Sequence, residues 1–216
     1  MEFNKYFDHT ILSPDASYIQ VEKICTEAIA NNFASVCVNS YRTKMVSDLL
    51  KGSDILTCTV IGFPLGAQPY DVKVFETKKA IEDGADEIDM VVNIGAIKDN
   101  DWETVEVDIK KVKDACGKNT LKVIIETCLL TEDEKEKACE VAVKAGADFL
   151  KTSTGFSKSG AEVEDIELFK RVLKGRAKIK ASGGIRDFEK ADAMIKAGAD
   201  RLGTSATLDI INHYPC

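Results

Sequence analysis

Histidine is nearly missing from this chain: His9 and His213 are the only two in 216 residues. A zinc site built on two or three imidazoles, or a nucleophile activated by histidine, would have to recruit one or both. Acid–base chemistry, if there is any, falls to Lys, Asp and Glu. The seven cysteines (25, 37, 58, 116, 128, 139 and 216) are an odd number with no CxxC pair and no zinc-like spacing. Several sit inside apolar runs, where free Cys packs as a small hydrophobe. Reduced thiols in a cytoplasmic setting are expected, not a disulfide framework. No uncharged stretch reaches 18 residues; the longest, 55–70, is broken by Pro64, Pro69 and two glycines, so no membrane-spanning helix is expected. The opening MEFNKYFDH has no apolar core, and no secretory signal is read there. An excess of positive charge is also absent: 29 basic against 36 acidic residues leave −7, with no global pull toward nucleic acid or anionic lipid.

What is present is alternation. Short apolar runs read as buried strands at 7–12, 35–39, 56–63, 87–95, 121–127, 148–154, 178–184 and 201–205. Helix-period segments lie between them. Trp102, Val105, Ile109, Val112 and Cys116 share one face, and Trp102 is expected in the core. Thr131 to Glu134 forms a capping-box pattern ahead of Ala138, Val141, Ala142 and Ala145. A further apolar stripe runs through Ala191, Met194, Ile195 and Gly198. Gly-Ala-Asp recurs at 84–86, 146–148 and 198–200, each time after a helix and before a strand. The glycine suits a helix C-cap and the aspartate a tight turn, so the motif is read as structural.

Strands alternating with helices imply parallel pairing through right-handed crossovers. Eight βα units close into a barrel, with an open doubly wound sheet as the alternative. The latter lacks its GxGxxG fingerprint, and no P-loop occurs. The expected fold is therefore α/β, a single-domain (β/α)8 TIM barrel over 1–216.

Catalytic residues of such barrels project from the C-terminal ends of strands. Three strands carry an ionisable residue among apolar ones: Asp89 between Ile88 and Met90, Lys151 after Leu150, and Lys180 after Ile179. Side chains alternate along a strand, so if these neighbours face the helices the three charges face the barrel interior. Two ammonium groups sharing a pocket depress each other's pKa, and a nearby carboxylate can move protons. That trio suits imine chemistry; an ion pair closing one end of the barrel is the equal alternative. Gly-rich ends follow the last three strands. Gly155, Gly183, Gly184, Gly203 and Ser205 fit a phosphate-binding role, with Arg186 or Lys158 adding charge.

The segments DHTIL (8–12), CVN (37–39), CTVIGFPLGA (58–67), GADEIDMVVNIGA (84–96), LKVIIETCLL (121–130), GADFLKTSTGF (146–156), KASGGIR (180–186) and LGTS (202–205) occur in order along nearly the whole chain. Together they resemble the deoxyribose-phosphate aldolase family of class I aldolases. The resemblance implies reversible cleavage of 2-deoxy-D-ribose 5-phosphate to acetaldehyde and D-glyceraldehyde 3-phosphate in deoxyribose phosphate catabolism. It implies Lys151 as the Schiff-base lysine, Lys180 as the lysine that tunes it and assists proton transfer, and Asp89 as proton donor/acceptor. It implies no cofactor and no metal, a small phosphorylated sugar as partner, and no nucleic acid or membrane. Homodimers are common among such barrels, which keeps a homodimer open.

Some positions depart from the family pattern: Ser13 replaces a usual lysine, Ser40 and Arg42 a proline and an aromatic, and Ala206-Thr207 a small-residue/Gly pair. Tyr214, in the HYPC ending, is assigned no role. Asp8 is expected to join the active-site network, His9 to be structural, Cys37 to be core, and 132–137 to be a solvated helix start. Two other readings remain open: a lysine-imine barrel acting on another sugar phosphate, and a catalytically silent phosphosugar-binding barrel.

Overall fold

The computed structural model describes residues 2–214; Cys216, counted among the thiols above, lies outside them. Eight strands pair in parallel, each with the next, and β8 returns to β1 to close the barrel. They are β1 (Phe7–Ile11), β2 (Ser35–Asn39), β3 (Leu56–Ile61), β4 (Glu87–Val91), β5 (Thr120–Ile124), β6 (Phe149–Lys151), β7 (Lys178–Ser182) and β8 (Arg201–Thr204). The helices are α1 (Tyr18–Asn31), α2 (Thr43–Leu49), α3 (Tyr70–Glu82), α4 (Ile94–Lys98), α5 (Trp102–Cys116), α6 (Glu132–Lys144), α7 (Val163–Leu173), α8 (Phe188–Ala197) and α9 (Thr207–Asn212). The fold is thus the (β/α)8 barrel expected, and the open sheet is excluded. Among the described residues, no helix is long and apolar enough to cross a membrane.

All eight strands fall where the apolar runs placed them, but most are shorter at their C-terminal ends. Lys151 closes β6, and the TSTG that follows is loop. The tail of the 87–95 run becomes loop and the start of α4, capped by Asn93, whose side chain accepts from the Ala96 N–H. Apolarity there marks burial under the barrel rim, not strand pairing. Trp102 is only half-buried and flanks the core, with the Lys137 ammonium 5.6 Å from its ring centre. Ile195 is likewise half-buried. The Thr131/Glu134 capping box forms as expected, and Glu132, Asp133, Glu136 and Lys137 are exposed around it.

The Gly-Ala-Asp repeat does more than turn the chain. Its glycines take left-handed φ of +95°, +93° and +126°. Its aspartates reach sideways: Asp86, Asp148 and Asp200 accept from the backbone N–H of Thr57, Leu121 and Ile179 at 2.8–2.9 Å. Each therefore ties the start of one strand to the start of the strand before it.

The main core lies between sheet and helices and includes Ile88, Met90, Leu121, Val123, Leu150, Ile179 and Ala181. A smaller apolar cluster of Leu12, Cys37, Cys58 and Val60 lies apart from it, so Cys37 is core as expected. Lys73 and Asp108 form a wholly buried pair between α3 and α5 (2.6 Å) that the sequence reading did not single out. Lys73 also donates to the Val91 carbonyl (3.0 Å), and Asp108 accepts from the Asn93 N–H (3.1 Å). The pair thereby fixes the end of β4, two residues beyond Asp89.

Candidate active site

The alternation argument places Asp89, Lys151 and Lys180 correctly. Their neighbours join the outer core, while the three charged side chains converge inside the barrel. Asp89 Oδ2 accepts from Lys151 Nζ and from Lys180 Nζ, each at 2.7 Å. Asp89 Oδ1 accepts from Lys122 Nζ at 2.9 Å and from the Cys58 thiol at 3.2 Å. One carboxylate thus serves three ammonium groups.

Lys122, Glu87 and Arg201 were missed by sequence reasoning. Lys122 also donates to Glu87 Oε2 (2.6 Å) and is completely buried. Its signal was present, because Leu121-Lys122-Val123 repeats the pattern that marked Lys180. Asp8 joins the network as expected: one oxygen takes Arg201 and the Ser35 hydroxyl, and the other faces Lys180. Two sets of metal-type ligand atoms fall inside this cluster, Cys37–Cys58–Asp89 and Asp8–Cys58–Glu87. Ammonium or guanidinium groups already occupy their carboxylates, a neighbourhood that opposes a further cation.

Burial by itself would raise a carboxyl pKa and lower an ammonium pKa. Around Asp89 it is outweighed by Lys122, Lys151 and Lys180, which hold the carboxyl well below the usual range. Arg201, Lys180 and Lys122 do the same for Asp8. Burial is likewise overcome at Lys180 by Asp8 and Asp89, and at Lys122 chiefly by Asp89; both ammonium groups are held above the usual lysine range. The depression expected of paired lysines is present at Lys180, from Lys122, but is outweighed by the two carboxylates that flank it.

The sign for stability follows. Asp8 and Asp89 have folded-state values below their unfolded ones, so their contribution is complete above about pH 4 and is lost as the pH falls further. Lys122 and Lys180 have raised values, so theirs is complete below about pH 10 and is lost as the pH climbs beyond it. The difference in urea midpoint between wild type and Asp89→Asn is expected to be flat between those limits and to shrink on the acid side.

Above the cluster, at the C-terminal mouth, lies a cavity of about 330 Å³. Lys151 lines it, as do Gly155, Gly183, Gly184, Gly203 and Ser205, so the glycine-rich ends do meet around one space. Arg186 lines it too, whereas Lys158 does not. Thr10, Ser13, Thr154, Ser182 and Thr204 complete its polar wall and were not foreseen. Gly203 has a further role, since a Cβ there would stand 3.0 Å from the Lys180 stem. Gly183, at φ +86°, lies against Gly160, which packs the loop after β6 onto the end of β7.

Glu126, just past β5, adopts a left-handed φ of +55° that costs a non-glycine residue about 1–3 kcal/mol. Its buried carboxylate accepts from both the N–H (3.2 Å) and the hydroxyl (2.5 Å) of Thr154, and burial holds its pKa up. Thr154 Oγ1 in turn accepts from the Phe156 N–H at 3.0 Å. Glu126 therefore pins the loop that walls the cavity. Glu126→Ala strands the Thr154 N–H and is expected to lower stability by about 1–3 kcal/mol, read as a lower urea midpoint at unchanged m. His9 is structural as expected: its ring pairs with Glu27 (2.8 Å) and Thr207 (3.0 Å), joining β1 to α1 and α9.

A closed parallel barrel whose charged cluster lies below a cavity at the C-terminal mouth defines the class, a (β/α)8-barrel enzyme. The family model for DeoC/LacD family aldolases matches residues 3–213. The deoxyribose-phosphate aldolase of Finegoldia magna is 58% identical over 211 residues, spanning 98% of this chain and 99% of its own. Among solved structures, "QR15, an Aldolase" superposes with a TM-score of 0.95 at 42% identity, covering 99% of this chain and 96% of its own. The tetrameric deoxyribose phosphate aldolase of Aeropyrum pernix gives 0.89 at 31% identity, covering 98% and 90%. The chain belongs to the DeoC/LacD family of aldolases and is a carbon–carbon lyase.

Proposed function

We propose that this aldolase reversibly cleaves 2-deoxy-D-ribose 5-phosphate to D-glyceraldehyde 3-phosphate and acetaldehyde through an imine on Lys151. The carrying observation is that Lys151, alone among the amines of the cluster, lines the cavity while sharing Asp89 Oδ2 with Lys180. Lys122, Lys151, Lys180 and Arg201 face Asp8, Glu87 and Asp89, an excess of one positive charge. Lys151 has a single carboxylate partner, whereas Lys180 has two, which makes Lys151 the less tightly engaged amine as well as the one open to substrate.

The free amine attacks the C1 aldehyde of the open-chain sugar. The carbinolamine takes up a proton and loses water, leaving a protonated imine. The C2–C3 bond then breaks as the C3 hydroxyl yields its proton, and the bonding pair moves into the enamine. That hydroxyl becomes the aldehyde carbonyl of D-glyceraldehyde 3-phosphate. Protonation of the enamine carbon and hydrolysis return Lys151 and release acetaldehyde. Asp89, as an anion, is the base, and the Lys180 ammonium is the acid paired with it. Gly155, Gly183, Gly184, Gly203 and Ser205 receive the phosphate, with backbone N–H groups and the Ser205 hydroxyl as donors. Arg186 supplies charge at the same wall.

The partner is this small sugar phosphate, with no role for nucleic acid, membrane or cofactor. Residues 1–216 act as one catalytic domain in the cytoplasm, assembling as a homo-oligomer. The test is reductive trapping: deoxyribose 5-phosphate with borohydride is expected to leave its adduct on the Lys151 peptide. An adduct formed only with ketose phosphates, one formed elsewhere, or none at all overturns the reading.

A further inference from the structure

Arg201 opens β8 at the N-terminal mouth of the barrel, the end remote from the substrate cavity. It lines a second cavity of about 330 Å³ there, together with Lys5, Asp54, Phe149 and Lys178. Its side chain remains 14% exposed. Two chains of charged groups start at this guanidinium and end on the two oxygens of Asp89. In the first, Arg201 Nη1 donates to Asp8 Oδ1 (2.5 Å), Asp8 Oδ2 faces Lys180, and Lys180 donates to Asp89 Oδ2 (2.7 Å). In the second, Arg201 Nη2 meets Glu87 Oε1 (3.4 Å), Glu87 Oε2 takes Lys122 (2.6 Å), and Lys122 donates to Asp89 Oδ1 (2.9 Å).

We infer that Arg201 is a positioning residue for the imine chemistry, setting the orientation and charge of Asp89 and Lys180 from the opposite mouth. This rests on Lys151 being the imine-forming amine. A guanidinium suits the place because its planar fork reaches two carboxylates at once and its charge is permanent. Lysine could supply the charge but not both contacts. With Arg201 holding Asp8 and Glu87, each passes a fixed acceptor to its own lysine, and both faces of Asp89 are clamped. Asp89 Oδ2 is thereby left aimed at Lys151. The groups against that amine are Asp89, Glu126 and the Cys37 thiol, with Lys180 sharing Asp89 Oδ2 and Lys122 on its other oxygen. Loss of one positive charge makes every remaining ammonium in this set hold its proton more firmly.

Arg201→Met is expected to lower kcat by about tenfold or more with KM little changed, part of the acid–base contribution. The acidic limb of its kcat–pH profile moves to higher pH. Added guanidinium ion, entering through the N-terminal cavity, restores rate and profile together. Since truncation leaves two buried carboxylates short of a partner, the charge-balanced Arg201→Met/Glu87→Gln variant is measured beside it. That variant returns the limb toward wild type but not the full rate, and Arg201→Lys behaves in the same sense. Wild-type kcat and pH profile in folded Arg201→Met would overturn the inference. So would a loss that merely tracks the unfolded fraction and resists guanidinium. Borohydride trapping of the wild type is read first. Without an adduct on Lys151 the imine reading itself falls; with one, an unaffected Arg201→Met sinks only the inference.

Discussion

Lys151→Ala is expected to abolish turnover while leaving the protein folded, with kcat reduced by about 10⁴-fold or more, as when a covalent nucleophile is removed. No neighbouring amine can stand in. Lys180 and Lys122 are completely buried, held in the ammonium form and engaged by two or more carboxylates. Folding should survive for a reason specific to the charge pattern. Without Lys151, three cations face three carboxylates, and the vacated space opens onto the cavity, where water can enter. The paired measurements are aldehyde release from deoxyribose 5-phosphate and the urea midpoint. Aldol cleavage persisting in this variant would end the mechanism proposed for it.

Asp89→Asn is expected to harm both quantities. Its carboxylate is the shared acceptor of Lys122, Lys151 and Lys180, and its loss raises the excess positive charge from one to two. Breaking a buried ion pair at one end costs about 3–5 kcal/mol, and loss of the base lowers kcat by about 10²–10⁴-fold. Adding Lys151→Ala to Asp89→Asn returns the charge excess to that of wild type and should recover part of the stability but none of the activity. Equal urea midpoints for Asp89→Asn and wild type at neutral pH would show that the cluster does not depend on this carboxylate.

These opposite outcomes at two touching residues mark the limit of sequence reading. Period-two alternation sufficed to turn Asp89, Lys151 and Lys180 inward, because a buried strand leaves a charged residue no other face. The family resemblance then singled out Lys151 as the nucleophile, which spacing did not. The same alternation marked Lys122, and it was passed over. Asp8 drew notice only because it lies in the matched segment 8–12, and Glu87 stands at a strand start, where charge is ordinary and carries no signal. Arg201 is the most remote case, separated from Asp8 by 193 residues and adjacent only because β8 pairs with β1.

The eight apolar runs and the Gly-Ala-Asp punctuation were enough to determine a parallel barrel with Asp89, Lys151 and Lys180 turned into its interior. They are local properties: side-chain period, helix capping and the steric freedom of glycine at the helix ends. Only the tertiary structure decided which charges meet, which lysine reaches the cavity and which ammonium groups stay protonated. Those outcomes depend on distances of a few ångströms between strands far apart in sequence, and on the balance of burial against neighbouring charge inside the closed barrel.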